Sequence, residues 1–143
     1  MRLFTIGYEA TTQADFLHAL QQAGVRLVVD VRALPLSRRP GFSKTPLRGA
    51  LAEAAIGYVH LRALGTPPAG REAARRGRTA ELEQIYAGQL ALPEALAAAA
   101  ELRQLVSEQP SALLCFERLP EGCHRSIILR EIVPEAEVEH LYP

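Results

Sequence analysis

Leu27-Val28-Val29-Asp30-Val31 constrains the fold of this chain more than any other stretch. It is a mostly β-branched run in which Asp30 is the one acid. Such a run marks a strand covered on both sides in a parallel sheet. The neighbouring segments alternate between strand and helix signals. Residues 2–6 predict a first strand, ended by Gly7. Thr11 or Thr12 caps a helix to about Ala23, with Phe16, Leu17 and Leu20 on one face, and Gly24 stops it. A Pro-rich loop over 35–42 follows the Leu27–Val31 run. Thr45-Pro46 then predicts an N-cap and a helix to about Ala55, and 58–61 a short third strand. Residues 64–70 read as a loop and 71–78 as a basic, Gly-broken stretch. Helices are predicted over 81–89 and from Pro93 to about Val106. A fourth strand is predicted at 111–116, a last helix at 123–132 and a fifth strand at 138–141.

This order predicts the α/β class: a single-domain three-layer sandwich, with a mostly parallel sheet of about five strands and helices on both faces. The 143 residues, 48% of them hydrophobic, suit one core. The domain is expected to span 1–143, with 62–110 a long, mostly helical excursion between the third and fourth strands. No apolar run reaches the roughly 20 residues of a membrane span, so no membrane partner is expected. The first residues are too short an apolar segment for a signal peptide. Two cysteines without a secretion signal do not suggest a disulfide framework, which points to the cytoplasm and reduced thiols. The net charge is zero, but residues 26–78 hold 11 basic and 3 acidic residues, and 79–143 hold 4 and 11. A basic half can bind anions, or it can simply neutralise the acidic half across the folded surface. The composition does not settle the oligomeric state.

In a parallel sheet of this kind Gly7-Tyr8-Glu9, Asp30-Val31-Arg32 and Cys115-Phe116-Glu117 all lie at carboxyl ends of strands, the edge where ligands bind. Both cysteines fall within the run from Leu113 to Ser126. Five blocks of the chain carry a family resemblance. They are Thr5-Ile6-Gly7, Asp30-Val31-Arg32 with Pro35 and Ser37, Gly57-Tyr58, Leu64-Gly65, and the Leu-Leu-Cys…Cys-His-Arg run from Leu113 to Arg125. In this order they resemble domain-of-unknown-function family 488 over nearly the whole length. The resemblance implies an α/β fold and a site, without a settled activity. That family typically has a His after its first Ile-Gly where this chain has Tyr8, so a proton-transfer role is not carried over to position 8.

Taken singly, the candidate residues each allow two readings. Cys115 is a nucleophile or sulfur carrier if Arg118, Arg125 or a helix N-terminus stabilises its thiolate. Its plainer role is a small buried hydrophobe. Glu117 and His124 join it as reactive groups, His124 as acid or base. Cys123, His124 and Arg125 open the last predicted helix, where an anion would meet unpaired N–H groups and the Arg125 fork. Alternatively Arg125 pairs with Asp30 or Glu117 and ties loops together. Asp30 and Arg32 either form a buried pair or present Arg32 to a ligand, beside a basic loop with Ser37, Arg38, Arg39 and Lys44. Gly7 would allow close ligand approach. Tyr8 and Phe42 could stack on a base, whereas Tyr58 and Tyr86 suit the core better.

Cys115, Cys123 and His124 offer three zinc donors, with His60 or Glu117 as a fourth. Their spacing is unlike a zinc knuckle and no second Cys pair exists, so no metal is expected. There is no Gly-x-Gly-x-x-Gly and no Walker loop, and no cofactor is expected. The leading functional expectation is an enzyme acting on an anionic small molecule, phosphate- or nucleotide-like, with Cys115, Glu117 and His124 reactive. Gly7, Tyr8, Asp30, Arg32, Ser37, Lys44, Cys123 and Arg125 would surround the ligand. Two alternatives stand beside it. One is a thiol- or sulfur-handling protein, since the Val-Val-Asp-Val-Arg strand and the Cys-ended strand resemble the rhodanese domain, although Phe116 to Pro120 replace a compact anion cradle. The other is a nucleic-acid module using the basic half. A purely structural ion-pair lattice is the plainest possibility.

Overall fold

A computed structural model describes all 143 residues. Its strands are β1 (Arg2–Gly7), β2 (Leu27–Asp30), β3 (Gly57–His60), β4 (Ser111–Cys115) and β5 (Glu137–Leu141). The helices are α1 (Gln13–Ala23), α2 (Lys44–Glu53), α3 (Pro68–Arg75), α4 (Thr79–Leu90), α5 (Pro93–Glu108) and α6 (Arg125–Glu131). The strands pair in the order β3-β2-β4-β1-β5, and every pairing is parallel. The mostly parallel sheet expected from the sequence is thus wholly parallel. No helix is long and apolar enough to cross a membrane.

Alternate residues of each strand face opposite layers. Phe4, Ile6, Val28, Ala112 and Leu114 pack with Phe16 and Leu20 of α1 and Leu47 and Leu51 of α2. Leu3, Leu27, Val29 and Leu113 pack against the other four helices, through residues such as Tyr86, Leu102 and Ile128. Chain crossings toward β3 therefore run over the α1–α2 face, and crossings toward β5 run over the α3–α6 face. All of them share one hand, as parallel crossovers do. β1 sends its chain one way and the adjacent β4 sends its chain the other. Their carboxyl ends form the switch point where open α/β sheets leave a crevice.

Three local details differ from the sequence expectation, and one agrees with it. The helix predicted from a Thr45 cap begins two residues earlier, with Ser43 as N-cap and Pro46 inside its first turn. Proline is tolerated there because the first N–H groups of a helix have no partner to lose. The stretch read as a Gly-broken basic segment forms α3, with Pro68 in its first turn, and Gly77 at φ 68° turns the chain into α4. The helix predicted from Cys123 begins at Arg125, with His124 as its cap. Thr12 caps α1 as the sequence suggests, accepting from the Asp15 N–H at 3.1 Å.

Candidate functional site

A cleft of about 790 Å³ opens at the β1–β4 switch point. Tyr8 and Glu9 enter it from β1, Arg32 from β2, and Cys115, Phe116 and Glu117 from β4. Cys123 and His124 close it from the start of α6, and Arg71 and Arg75 reach it from α3. Leu34, Leu36, Phe116 and Leu119 are exposed around it and give it an apolar rim.

On the α1–α2 side, Asp30 and Arg32 form a buried bidentate pair. Arg32 Nε donates to Asp30 Oδ1 at 2.9 Å and Nη2 to Oδ2 at 2.7 Å. The Arg32 N–H and the Tyr58 hydroxyl also donate to this carboxylate, at 3.0 and 2.5 Å. Nη1 of Arg32 donates to the Phe42 carbonyl at 2.7 Å and to the Tyr8 hydroxyl at 3.3 Å. Burial works against the guanidinium charge, but the Asp30 bonds outweigh it and raise the Arg32 pKa. Tyr8 stacks on Phe42 at 4.7 Å between ring centres, and Phe116 meets Tyr8 edge-on at 5.3 Å. Arg32 thus ties the ends of β1 and β2 to the loop before α2.

On the α3–α6 side sits a cluster of two thiols, an imidazole and a carboxyl. Cys115 faces this layer because it continues the Ser111, Leu113 register of β4. His124 Nε2 lies 2.7 Å from the Val31 carbonyl oxygen, which can only accept, so Nε2 carries the hydrogen. In the neutral ring Nδ1 is therefore a lone-pair acceptor, 3.5 Å from Cys123 Sγ and 3.6 Å from Cys115 Sγ. Cys115 Sγ also donates to Glu117 Oε2 at 3.1 Å. Burial alone would push the Cys123 thiol up. The neighbouring Cys115 thiol and the charges of His124 and Arg125 outweigh it and hold Cys123 well below an ordinary thiol. Burial, then the neighbouring Cys123, pushes Cys115 up. Burial also raises Glu117 toward its neutral form. Burial disfavours the His124 imidazolium, but the Cys123 charge outweighs that and raises it. The shifts therefore run in opposite directions across the cluster, Cys123 toward its thiolate and Cys115 and Glu117 toward their protonated forms. Cys115, the nucleophile expected from the sequence, thus shares the His124 Nδ1 with a second thiol, Cys123.

Of the residues singled out from the sequence, Tyr8, Arg32, Cys115, Glu117, Cys123 and His124 meet at the cleft. Gly7 lies under it for a different reason than ligand approach. A Cβ at Gly7 would collide with the Glu117 carbonyl, so the glycine lets the loop after β4 cross the end of β1. Asp30 is wholly buried behind Arg32. Arg125 was expected to grip an anion, yet its side chain is fully buried, off the cleft wall, and bonds the Glu117 carbonyl. Ser37 and Lys44 do not line the cleft. The Ser37 hydroxyl accepts from the Arg39 N–H, and its own N–H donates to Ser43. His60 is outside the thiol cluster, with Nε2 at 2.7 Å from the Arg32 carbonyl.

Sequence reasoning missed Arg71. Its Nη1 donates to the Thr66 carbonyl at 2.9 Å, and of the three cleft arginines it alone has no carboxylate partner. The signal was there: Pro67-Pro68 opens a helix, and Arg71 and Arg75 stand four residues apart on one of its faces.

A family model described as Domain of unknown function DUF488 matches residues 12–132. The match takes in β2, α3 and the whole Cys115–Arg125 run, and leaves β1 and β5 outside it. No curated protein and no solved structure matches the chain.

Proposed function

We propose that this chain, which belongs to the Domain of unknown function DUF488 family, is an enzyme that acts on an anionic small molecule with an apolar portion, such as a phosphate ester or nucleotide. The observation that carries the reading is Arg71, a guanidinium without a carboxylate partner, sharing one cleft with the Cys115, Glu117, Cys123 and His124 cluster. A fork of N–H donors suits a phosphate or carboxylate group. The rim of Leu34, Leu36, Phe116 and Leu119 suits the apolar body of such a ligand. The thiol, imidazole and carboxyl groups stand where the reacting atoms would lie. Arg32 contributes position rather than free charge, because Asp30 already neutralises it. The proposal includes a cytoplasmic location, where two unlinked thiols remain reduced. A thiol-handling role would use the same cluster, and the two unlinked thiols 3.5 and 3.6 Å from one imidazole nitrogen are the observation in its favour.

Thermal unfolding of the protein against a panel of phosphate esters, nucleotides and carboxylates tests the reading. A ligand at about a hundred times its Kd adds roughly 2.7 kcal/mol of stability. At least one anion is expected to raise the Tm of the wild type, and Arg71→Ala is expected to abolish that shift. A panel without shifts, or shifts unchanged by Arg71→Ala, would refute the proposal.

A further inference from the structure

We propose that Cys115 Sγ, Cys123 Sγ and His124 Nδ1 bind a zinc ion at the cleft wall, its remaining coordination position open to the cleft. The inference deepens the functional reading because it uses the same cluster, and it rests on that reading for its relevance to a substrate.

Geometry is the first support. The three donor atoms lie within 4.8 Å of one another. A tetrahedral zinc with bonds of about 2.3 Å to sulfur and about 2.0 Å to nitrogen has S···N edges of roughly 3.5 Å. The two edges from His124 Nδ1 are 3.5 and 3.6 Å. Both S···N edges therefore already match the polyhedron, and the S···S edge, at most 4.8 Å, has to close to about 3.8 Å when the ion is bound.

The imidazole supplies the second support. Zinc-binding histidines usually donate their other ring N–H to a carbonyl or carboxylate, which fixes the tautomer and aims the ligating nitrogen. Here the Val31 carbonyl performs that part at 2.7 Å, from a different strand of the sheet. In the neutral ring the lone pair it leaves on Nδ1 faces two sulfurs, and one lone pair cannot serve two thiol hydrogens well. A cation in their midst satisfies all three atoms together.

Donor chemistry and charge are the third support. Two thiols and an imidazole select zinc over calcium or magnesium, which favour oxygen. Both cysteines are buried and unlinked. Two thiolates balance the dication, and their protons are released on binding. The unusual Cys-x7-Cys-His spacing follows from the fold: one ligand ends a strand and the other two precede a helix. Three protein ligands and one open position are the arrangement of catalytic rather than structural zinc. A cation so placed acts as a Lewis acid toward a bound oxyanion or lowers the pKa of a water. The Glu117 carboxyl, 3.1 Å from the Cys115 sulfur, stands beside it.

Cobalt(II) added to the reduced protein tests the site. We expect one cobalt per chain, with thiolate-to-cobalt charge-transfer bands, intense tetrahedral d–d bands and displacement of both by zinc. Cys115→Ser and Cys123→Ser, with folding checked by circular dichroism, are each expected to weaken zinc binding at least about a hundredfold, beyond the roughly 10- to 100-fold of an outer-shell change. X-ray absorption on the zinc-loaded wild type needs no variant. It should show two sulfurs at about 2.3 Å, and a shell of nitrogen and oxygen alone would overturn the site. Reduced wild type without charge-transfer bands, or Cys123→Ser that binds zinc like the wild type, would do the same. Arg71→Ala should keep the cobalt spectrum. Anion shifts without cobalt bands would sink only the zinc site; cobalt bands without any anion shift would sink only the functional reading.

Discussion

Asp30 accepts four hydrogen bonds, three of them from Arg32 and one from Tyr58. Both charges are buried, and a pair of this kind persists because its partners saturate it. A single missing atom matters as much on the opposite side of the site. Gly7 has the Glu117 carbonyl where a side chain would begin. Backbone cannot yield as a flexible side chain can. Gly7→Ala is therefore expected to destabilise the protein by about 1–3 kcal/mol or more, in the range of overpacked cores. It should also displace the loop that carries Glu117. Urea unfolding measures the first effect, and loss of cobalt or anion binding in the still-folded variant reports the second.

At the scale of elements, β4 is central, with β1 and β2 as neighbours and every residue buried. β5 lies at the edge of the sheet, with Glu137, Val138 and Glu139 exposed. Hydrogen exchange is expected to find the β4 and β2 amides slowest and those of β5 and of residues 116–122 much faster. Equal protection of β4 and β5 would contradict this layering. The same contrast explains what the sequence disclosed. Leu27–Val31 and Ser111–Cys115 announced themselves because burial on two faces demands unbroken apolar runs. The thiol cluster was legible in part, since Cys115, Glu117, Cys123 and His124 share one run of the chain. α3 was not legible, because its Arg71 and Arg75, with Arg76 just beyond them, mask a short buried seam of Gly70 and Ala73. The inward turn of Arg125 was hidden too: only the packed structure shows it bonding the Glu117 carbonyl instead of a ligand.

For the whole molecule, the half-buried Tyr58 and the buried Tyr86 set the alkaline limit. Burial and the bond to Asp30 raise Tyr58, and burial raises Tyr86, whose hydroxyl donates to the Leu64 carbonyl at 2.5 Å. The folded state keeps these protons where the unfolded chain releases them, above roughly pH 10. Their contribution is therefore complete below that pH and is lost as pH rises through the folded values. Stability should fall steeply on the alkaline side. Tyr58→Phe and Tyr86→Phe should each flatten the slope of unfolding free energy against pH; an unchanged slope in both would refute the assignment.

The cleft straddles the end of β4, with Tyr8 and Arg32 toward the α1–α2 layer and Cys115 and His124 toward the other. Anything that engages both walls must reach over a strand tip. A bare inorganic ion can lodge on one bank only, so affinity should climb with the length of the molecule that bridges them.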